Sequence, residues 1–252
     1  MADRFTLRLV DSHMLAPSVR HLVFERVDGL PLAFVPGQFV QIHFDYADGT
    51  PAKRSYSIAT VGDGHSAVTR IEIAVSYVEG GAATALLSML EHGQTVEASG
   101  PYGRFCLGEG DSNGRYLLMA TGTGVTPYRA MLPVLAELIE RRGIEVALLY
   151  GVRSEPELLY GEEFEAFAQA HPGFVFHACF SRLPRAVVRP NDRSGHVQNT
   201  LSELIPDAAR DIAYLCGNPN MVDTAFAELK DAGLPVPQIR REKYISGNVT
   251  KR

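Results

Sequence analysis

The chain has 252 residues, of which 46% are hydrophobic, so it can form two domains of ordinary size, each with its own core. Its formal net charge of −5 provides no overall basic field that would hold a nucleic acid or an anionic membrane surface. The N-terminal sequence lacks the uninterrupted apolar segment of a secretion signal, and no stretch approaches the roughly 18 apolar residues of a membrane span. We therefore expect a cytoplasmic protein without nucleic-acid or membrane partners.

Residues 1–110 show short runs of alternating apolar and polar residues, which is the pattern of half-buried strands. Turn residues such as Pro36-Gly37, Asp48-Gly49 and Gly62-Asp63-Gly64 separate the runs. This pattern predicts an antiparallel β-barrel or sandwich. The clearest runs are 5–9, 19–23, 39–44, 71–75 and 95–96.

One helix is predicted to interrupt these strands at residues 82–90, whose sequence AATALLSML has high helix propensity. Gly80 and Gly81 precede it directly. A glycine turn at a helix start directs backbone N–H groups outward, where they can bind an anion. The segment is therefore a candidate phosphate-binding site.

The strand around residue 55 carries an arginine, a tyrosine and a hydroxyl group in the sequence Arg54-Ser55-Tyr56-Ser57. Side chains alternate along a strand, so Arg54 and Tyr56 are expected on one face and Ser57 on the other or at a bend. Taken alone, the segment also fits a half-exposed strand with a surface arginine and tyrosine.

Residues 111–252 follow a glycine-rich linker at 108–114 and have a different pattern, in which long apolar runs alternate with helical periodicity. This pattern predicts an α/β domain with a parallel sheet. Pro133 is expected to kink or split the first helix. Strands are expected at 116–120, 146–150, 174–180 and 212–215, and helices near 127–142, 162–171, 200–205 and 220–232.

The first strand of this half ends at a glycine turn, Thr121-Gly122-Thr123-Gly124, which leads directly into a helix. Gly122 and Gly124 lack the Cβ atoms that would hold a bulky anion away from the backbone. Thr126 as N-cap and Pro127 as the first helical residue would present free N–H groups at the positive end of the helix. The expected ligand is a diphosphate, although the turn alone also fits an ordinary tight turn.

The ends of the next two strands bear on the choice between NAD and NADP. An NAD site normally has an acidic residue at the end of the second strand, but this strand ends at Arg153. The third ends at Ser181-Arg182, and a hydroxyl with a guanidinium suits the extra phosphate of NADP. Three further arginines follow, namely Arg185, Arg189 and Arg193. Taken individually, each fits a solvated basic loop, in which Asp192 is the only opposing charge.

The three cysteines, Cys106, Cys179 and Cys216, are far apart and form no Cys-x-x-Cys pair. Their spacing argues against a disulfide framework and excludes a four-cysteine iron–sulfur cluster within these residues. Any redox chemistry must therefore use an organic cofactor or a separate partner protein.

Three segments of the first half resemble, in order and spacing, the flavin-binding domain of the ferredoxin–NADP reductase family. They are Arg54-Ser55-Tyr56-Ser57, Gly80-Gly81-Ala82-Ala83-Thr84 and Gly100-Pro101-Tyr102-Gly103-Arg104-Phe105. The resemblance implies that Tyr56 packs against the isoalloxazine and bonds the ribityl chain, while Arg54 neutralises the diphosphate and Ser57 donates near N5. It also implies donors to the same diphosphate from Gly81, Ala82 and Thr84.

Segments of the second half resemble the same family. The resemblance implies that Cys216 is a neutral thiol beside the nicotinamide, although a cysteine at a strand end is usually a small buried hydrophobe. It implies that Glu242 and Tyr244 form a terminal acidic and aromatic element, with Tyr244 over the flavin until the nicotinamide displaces it. The segments are Thr121–Gly124 with the following helix, Ser181-Arg182, Cys216-Gly217-Asn218-Pro219-Asn220-Met221 and Arg241-Glu242-Lys243-Tyr244.

The resemblance therefore implies an FAD-binding β-barrel domain at 1–110 and an NADP-binding α/β domain at 111–252, with FAD and NADP as cofactors. The implied activity is electron exchange between NADPH and a separate ferredoxin or flavodoxin, because a flavin can pass the electrons of a hydride on one at a time. Two alternatives remain: the reductase component of an oxygenase system, and a flavin-binding electron-transfer subunit without NADPH turnover. The intact nucleotide motifs disfavour the latter.

Overall fold

A computed structural model of the chain describes residues 4–64, 66–77, 81–108 and 110–244, which form two compact units. The first unit contains residues 4–107 and Thr126–Pro133, and the second contains Gly108–Val125 and residues 134–244. The boundary expected after residue 110 stays a prediction. Gly80 of the candidate phosphate site and residues 245–252 lie outside the described part of the chain.

The first unit is built on a six-stranded sheet with the order β4-β3-β6-β1-β2-β5, in which all paired strands are antiparallel. A bridge between Ile58, which follows β4, and Ile73 of β5 joins the two edges, so the sheet closes into the expected barrel. The strands are β1 (Arg4–Ala16), β2 (Val19–Arg26), β3 (Phe39–Asp45), β4 (Pro51–Ser57), β5 (Arg70–Ser76) and β6 (Thr95–Tyr102).

The inward residues of the barrel form one apolar core, as the alternating sequence pattern requires. In β1, for example, Phe5, Leu7 and Leu9 are buried. Helix α1 (Ala82–Ser88) packs on this core through Leu87 and ends earlier than the expected residue 90. The Arg20 guanidinium accounts for this, because it donates to the last carbonyls of the helix, at 3.1 Å from Leu87 O and 3.2 Å from Ser88 O.

The second unit contains the expected parallel sheet, with the strand order β10-β9-β8-β7-β11-β12. Its strands are β7 (Arg115–Thr121), β8 (Glu145–Val152), β9 (Phe174–Phe180), β10 (Arg193–Ser194), β11 (Asp211–Gly217) and β12 (Ile239–Lys243). The two outermost strands, β10 and β12, were not expected. Both are short and polar, so neither carries the apolar run that predicts a buried parallel strand.

The helices of this half are α2 (Thr126–Arg142), α3 (Gly161–Ala170) and α4 (Pro219–Asp231), with short 3-10 helices at Gly122–Val125, Glu155–Glu157, Val197–Leu204 and Val236–Gln238. The helix expected at 200–205 is thus a 3-10 helix. Of the expected kink or split at Pro133, the split is wrong because α2 continues through this residue, and the kink stays a prediction. Met131 and Leu135 on either side are fully buried, and their packing offsets the backbone hydrogen bond that proline removes.

Packing of α4 on β7 and β11 forms the apolar core of one face of the sheet. Val222, Ala225 and Leu229 of α4 are fully buried there. They meet Leu117 and Leu215 of the sheet, and burial of each large side chain stabilises the fold by roughly 1.5–3 kcal/mol. Among the described residues, none of the helices has the length and apolar character needed to cross a membrane.

Candidate functional site

The six strands of the second unit's sheet are parallel and end at the same edge, where ligands of such sheets bind. The residues predicted to bind the nicotinamide nucleotide lie at the ends of these strands. They are Thr121 at the end of β7, Arg153 after β8, Ser181 and Arg182 after β9, Cys216 and Gly217 of β11, and Tyr244 after β12. The fold therefore brings these distant segments to one edge.

The glycine turn after β7 is itself a 3-10 helix, Gly122–Val125, that runs into α2. Consequently Val125 occupies the N-cap position and Thr126 is already helical, so the expectation that Thr126 caps the helix was wrong. The Thr126 side chain is buried, and within the described part of the chain its hydroxyl has no hydrogen-bond partner. Because helical geometry starts one turn earlier, the free N–H groups lie at Gly122–Val125 instead.

The two glycines of the turn have different roles. Gly122 has a φ of +53°, and a Cβ there would have no atom within 4 Å, so open space adjoins the backbone. This opening fits the approach of an anion such as a diphosphate. A Cβ on Gly124 would instead lie 2.3 Å from the carbonyl oxygen of Cys216. Gly124 thus permits close contact between the turn and β11, and its expected role beside the anion stays a prediction.

Replacing Gly124 with alanine is expected to lower the free energy of unfolding by about 2 kcal/mol, because the new Cβ meets backbone that cannot move aside. Gly122→Ala is the matched control, and its left-handed φ should cost only about 1 kcal/mol. Urea denaturation of both variants, followed by circular dichroism, measures the two values. Equal losses would show that the contact with Cys216 does not govern this position.

The ends of β7 and β11 are tied together beside the turn. The Thr121 hydroxyl accepts a hydrogen bond of 2.9 Å from the backbone N–H of Asn218. Gly217 has a φ of +128°, and a Cβ there would lie 2.6 Å from Thr121 O, so only glycine fits. Sequence reasoning missed Asn218, which caps α4 by accepting from the Asn220 N–H at 2.9 Å. An asparagine directly before a proline at a helix start was the available signal.

Cys216, Glu242 and Tyr244 come together at the ends of β11 and β12. Cys216 pairs with Glu242 in the ladder, and the Tyr244 N–H donates to Gly217 O at 2.8 Å. Burial raises the pKa of the Cys216 thiol well above its ordinary value, and the nearby Glu242 carboxyl raises it further. Cys216 is therefore a neutral thiol at physiological pH. Burial also raises the pKa of Glu242 to about 7, so this carboxyl can exchange a proton near neutrality.

Arg153 and Arg182 lie side by side at the ends of β8 and β9. The backbone N–H groups of Arg182 and Leu183 both donate to Arg153 O, each at 3.0 Å. The Ser181 hydroxyl donates to Val152 O at 3.1 Å, which fixes its position. Arg182 is exposed, and among residues 110–244 its guanidinium has no ion-pair partner. It is thus available to an anionic ligand.

The other three arginines of this region are paired with carboxylates, and Arg185 is buried while Arg189 remains exposed. Arg185 is only 4% exposed, and its Nη1 lies 2.7 Å from Oε1 of Glu165 on α3. The Arg189 guanidinium also contacts Glu165, while the Arg193 Nε lies 2.9 Å from Glu203. Counting only Asp192 as an opposing charge was wrong, because the acidic partners come from other elements. The loop after β9 is therefore anchored by ion pairs.

The candidate flavin residues of the first unit lie on β4. Burial alternates along this strand, so Arg54 and Tyr56 are half-buried on one face, while Ser55 is exposed and Ser57 is buried. Burial raises the pKa of Tyr56 to about 12, an effect that the charge of Arg54 opposes. The phenol therefore stays protonated and can donate a hydrogen bond. A guanidinium, a phenol and hydroxyls are a donor set that fits an anionic dinucleotide such as FAD.

The start of α1 offers further donors in the first unit. Gly81 is the N-cap residue of α1 and provides no side-chain cap. The backbone N–H groups of the first turn, which include those of Ala82 and Thr84, lie at this end of the helix. Gly81 O accepts from the Ala85 N–H at 2.9 Å, which begins the helical pattern. These backbone groups suit a phosphate oxygen.

Comparison with known proteins supports the interpretation of both units as cofactor-binding domains. Residues 6–106 match the family model of the oxidoreductase FAD-binding domain, and residues 118–226 match that of the oxidoreductase NAD-binding domain. These matches confirm the predicted order of the domains and the prediction of FAD and NAD(P) as cofactors.

Among curated relatives, ferredoxin–NADP reductase B of Sorangium cellulosum is 37% identical over 96% of this chain and 98% of its own length. The reductase subunit of an aromatic O-demethylase from Amycolatopsis is 33% identical over 85% of this chain. The reductase component of a Rhodococcus jostii propane 2-monooxygenase is 31% identical over 84%. The chain covers only 62% and 56% of the length of these last two proteins.

Solved structures show the same fold. The Amycolatopsis cytochrome P450 reductase GcoB superimposes with a TM-score of 0.81 at 30% identity, covering 96% of this chain and 69% of that one. A Neisseria gonorrhoeae ferredoxin NADP+ reductase with bound FAD and NADP has a TM-score of 0.80 at 20% identity, covering 96% and 99%. The chain therefore belongs to the ferredoxin–NADP reductase family, as an oxidoreductase with an FAD-binding barrel and an NAD(P)-binding α/β unit.

Proposed function

We propose that the protein is a ferredoxin/flavodoxin–NADP+ reductase, which exchanges electrons between NADP(H) and a separate ferredoxin or flavodoxin. The observation that carries this proposal is the 37% identity to a ferredoxin–NADP reductase along nearly the whole of both chains. The three dispersed cysteines support a separate carrier, because a four-cysteine iron–sulfur cluster cannot form within these residues.

NADP is proposed as the preferred nucleotide because of the charges at the ends of β8 and β9. Arg182 is exposed and lies next to Arg153, and β8 ends without the acidic residue that would bind the ribose hydroxyls of NAD. A carboxylate there would repel the 2′-phosphate, whereas a guanidinium can bind it with two parallel hydrogen bonds. Ser181 adds a hydroxyl that can accept or donate one more.

FAD, when bound, accepts a hydride and passes its electrons on singly. In the first unit, Arg54 and the start of α1 would neutralise its diphosphate, and Tyr56 and Ser57 would donate hydrogen bonds to it. In the second unit, the open backbone at Gly122 would bind the nucleotide diphosphate. The neutral Cys216 thiol keeps charge away from the nicotinamide end, while Glu242 can hold a proton there at neutral pH.

A second candidate is the NAD(P)H-dependent reductase component of an oxygenase system. The reductase subunits of the aromatic O-demethylase and the propane monooxygenase support it, at 33% and 31% identity. The third candidate, which the sequence also leaves open, is a flavin-binding electron-transfer subunit without NADPH turnover. Unlike the first two, it requires no reduction of the flavin by either nucleotide.

Anaerobic titration of the purified flavoprotein tests these candidates. We expect NADPH to bleach the flavin absorbance faster than NADH, and the reduced protein then to reduce added ferredoxin or flavodoxin. Reduction by NADH as fast as by NADPH, with no transfer to either carrier, would favour the oxygenase component. Failure of both nucleotides to reduce the flavin would contradict a reductase of either kind.

Tyr244→Ala is expected to tighten NADP+ binding about 5-fold and to slow its release. If the tyrosine ring occupies the place of the nicotinamide, the nucleotide must displace an aromatic contact worth about 1 kcal/mol. Tyr244→Phe is the control, since it keeps the ring and should bind NADP+ like the wild type. Isothermal titration calorimetry measures both affinities, and the same affinity in all three proteins would remove Tyr244 from the nicotinamide site.

A further inference from the structure

Strand β12 carries Glu242 and leads to Tyr244, yet apolar burial defines its position poorly. It is an edge strand of the sheet and, among the strands that the structure describes, pairs only with β11. Ile239 is its single buried residue, and the four residues that follow are all charged. Hydrophobic burial normally fixes strand register, because a shift exposes the apolar residues. Another interaction must therefore do most to fix the register of β12.

Arg240 supplies such an interaction with the segment that precedes β7. Its Nη2 donates to Oδ1 of Asp111 at 2.5 Å, and its Nη1 donates to Oδ2 at 2.7 Å. The guanidinium also contacts the Tyr214 hydroxyl and lies 5.1 Å from the centre of that ring. Two parallel charge-assisted hydrogen bonds define both distance and direction, so they fix position better than a single ion contact does.

Asp111 is itself held in place. Its Oδ2 accepts from the Gly108 N–H at 2.9 Å and lies 3.4 Å from the Tyr116 hydroxyl. The Asp111 side chain is only 8% exposed, so water competes weakly for the ion pair. The hydrogen bond with Asp111 raises the pKa of Arg240 above its ordinary value despite partial burial, so the guanidinium remains charged. Arg240 is thus bound to a fixed point of the second unit.

The ladder between β11 and β12 connects this ion pair to the candidate nicotinamide site. Arg240 pairs with Tyr214, and Glu242 pairs with Cys216 two positions further along. Alternate residues of a strand share a face, so Arg240 and Glu242 are on the same side of β12. A shift of two residues would keep the faces but would bring Arg240 next to Cys216 in place of Glu242.

We propose that Arg240 is a positioning residue, whose ion pair with Asp111 fixes the register of β12 on β11 and so places Glu242 opposite Cys216 and Tyr244 next to Gly217. The proposal rests on the proposed function only in giving Glu242 and Tyr244 a role at the nicotinamide. The alignment of the strand itself is a property of the second unit and can be measured without nucleotide or carrier protein.

The first test is hydrogen exchange of the oxidised flavoprotein with Asp111→Asn, which leaves Arg240 without its carboxylate. We expect the amides of Glu242 and Tyr244 to exchange at least about 10-fold faster, since local opening no longer has to break the ion pair. Amides of β7, β8 and β9 should keep their wild-type rates. Arg240→Lys keeps a positive charge but loses the two parallel hydrogen bonds. Its exchange rates at Glu242 and Tyr244 should therefore lie between those of the wild type and those of Asp111→Asn.

The second test uses NADPH with ferricyanide, a small acceptor that requires no carrier protein. Asp111→Asn should lower kcat about 10-fold while KM for NADPH changes less than 2-fold, because Arg182 and the glycine turn bind the nucleotide elsewhere. The apparent pKa in the pH profile of kcat should fall from the neutral range toward that of an ordinary glutamate, since a displaced Glu242 gains water.

Lys243→Gln is the matched control on the same strand. It removes the exposed ion pair between Lys243 Nζ and Asp223 Oδ1, 2.6 Å apart, on the other face. Its exchange rates, kcat and pH profile should match those of the wild type. Unchanged exchange at Glu242 and Tyr244 in Asp111→Asn would overturn the proposal, as would faster exchange throughout the second unit. Loss of ferredoxin or flavodoxin reduction alone would instead count against the proposed function.

Discussion

Replacing Arg182 with alanine is expected to raise KM for NADPH about 10- to 150-fold and to leave KM for NADH almost unchanged. A hydrogen bond between a charged guanidinium and a phosphate contributes roughly 1.5–3 kcal/mol, which corresponds to this range. NADH has no 2′-phosphate and therefore loses nothing. Arg182 is exposed and makes no ion pair within the described second unit, so its removal leaves no charge unpaired.

Arg189→Ala is the control for this prediction, because Arg189 belongs to the same loop but its guanidinium is paired with Glu165. It should change KM less than 2-fold for either nucleotide. Initial rates with ferricyanide as acceptor give KM for all three proteins. If Arg182→Ala weakened NADPH and NADH equally, Arg182 would bind a part that the nucleotides share, or would support the loop itself.

We expect the wild type to lose stability as the pH rises, and we expect Glu242→Gln not to show this loss. Burial raises the pKa of Glu242 from 4.5 to about 7, so the folded protein favours the protonated carboxyl. The stabilisation from this preference is complete below about pH 4.5 and is lost as the pH rises through 7. A shift of this size corresponds to about 3 kcal/mol, because each pKa unit is about 1.4 kcal/mol.

Urea denaturation of wild type and Glu242→Gln between pH 4.5 and 8 measures this effect as a difference between two curves. The stability of the wild type should fall by about 3 kcal/mol relative to the variant over this range. Glu162→Gln on α3 removes an exposed carboxyl and controls for the loss of one charge. Parallel curves for wild type and Glu242→Gln would show that this carboxyl is not buried in the folded protein.

Sequence patterns were sufficient to predict the barrel, the parallel sheet and the sheet edge at which the residues predicted to bind the nucleotide lie. Apolar periodicity and glycine turns are local, and they fix where strands end. The start of α2 was placed one residue late, and the 3-10 helix Gly122–Val125 before it was missed for a local reason as well, because its sequence resembles a turn. Open space adjoins Gly122 whereas Gly124 lies close to β11, and this difference depends on the path of β11, which the local sequence does not show.

Interactions between distant segments account for the remaining differences. Arg185 looked like a surface charge because its partner Glu165 lies on another element, 20 residues away. Strand β12 gave no periodic signal, since four of its five residues are charged. Its pairing depends on β11 and on Asp111, which lies 129 residues from Arg240. No window of local sequence contains such pairs, so they could not be predicted from composition or periodicity.

The buried Arg185 also bears on how nucleotide preference can change during evolution. The loop after β9 is held by Arg185 and its bond to Glu165, whereas Arg182 contributes no ion pair to that support among the described residues. If Arg182 binds the 2′-phosphate as we propose, a substitution at position 182 would alter the choice between the two coenzymes at little cost to folding. Mutation of Arg185 would instead leave Glu165 without this partner and endanger the whole loop. On that proposal, coenzyme choice and the support of the loop would depend on separate arginines three positions apart.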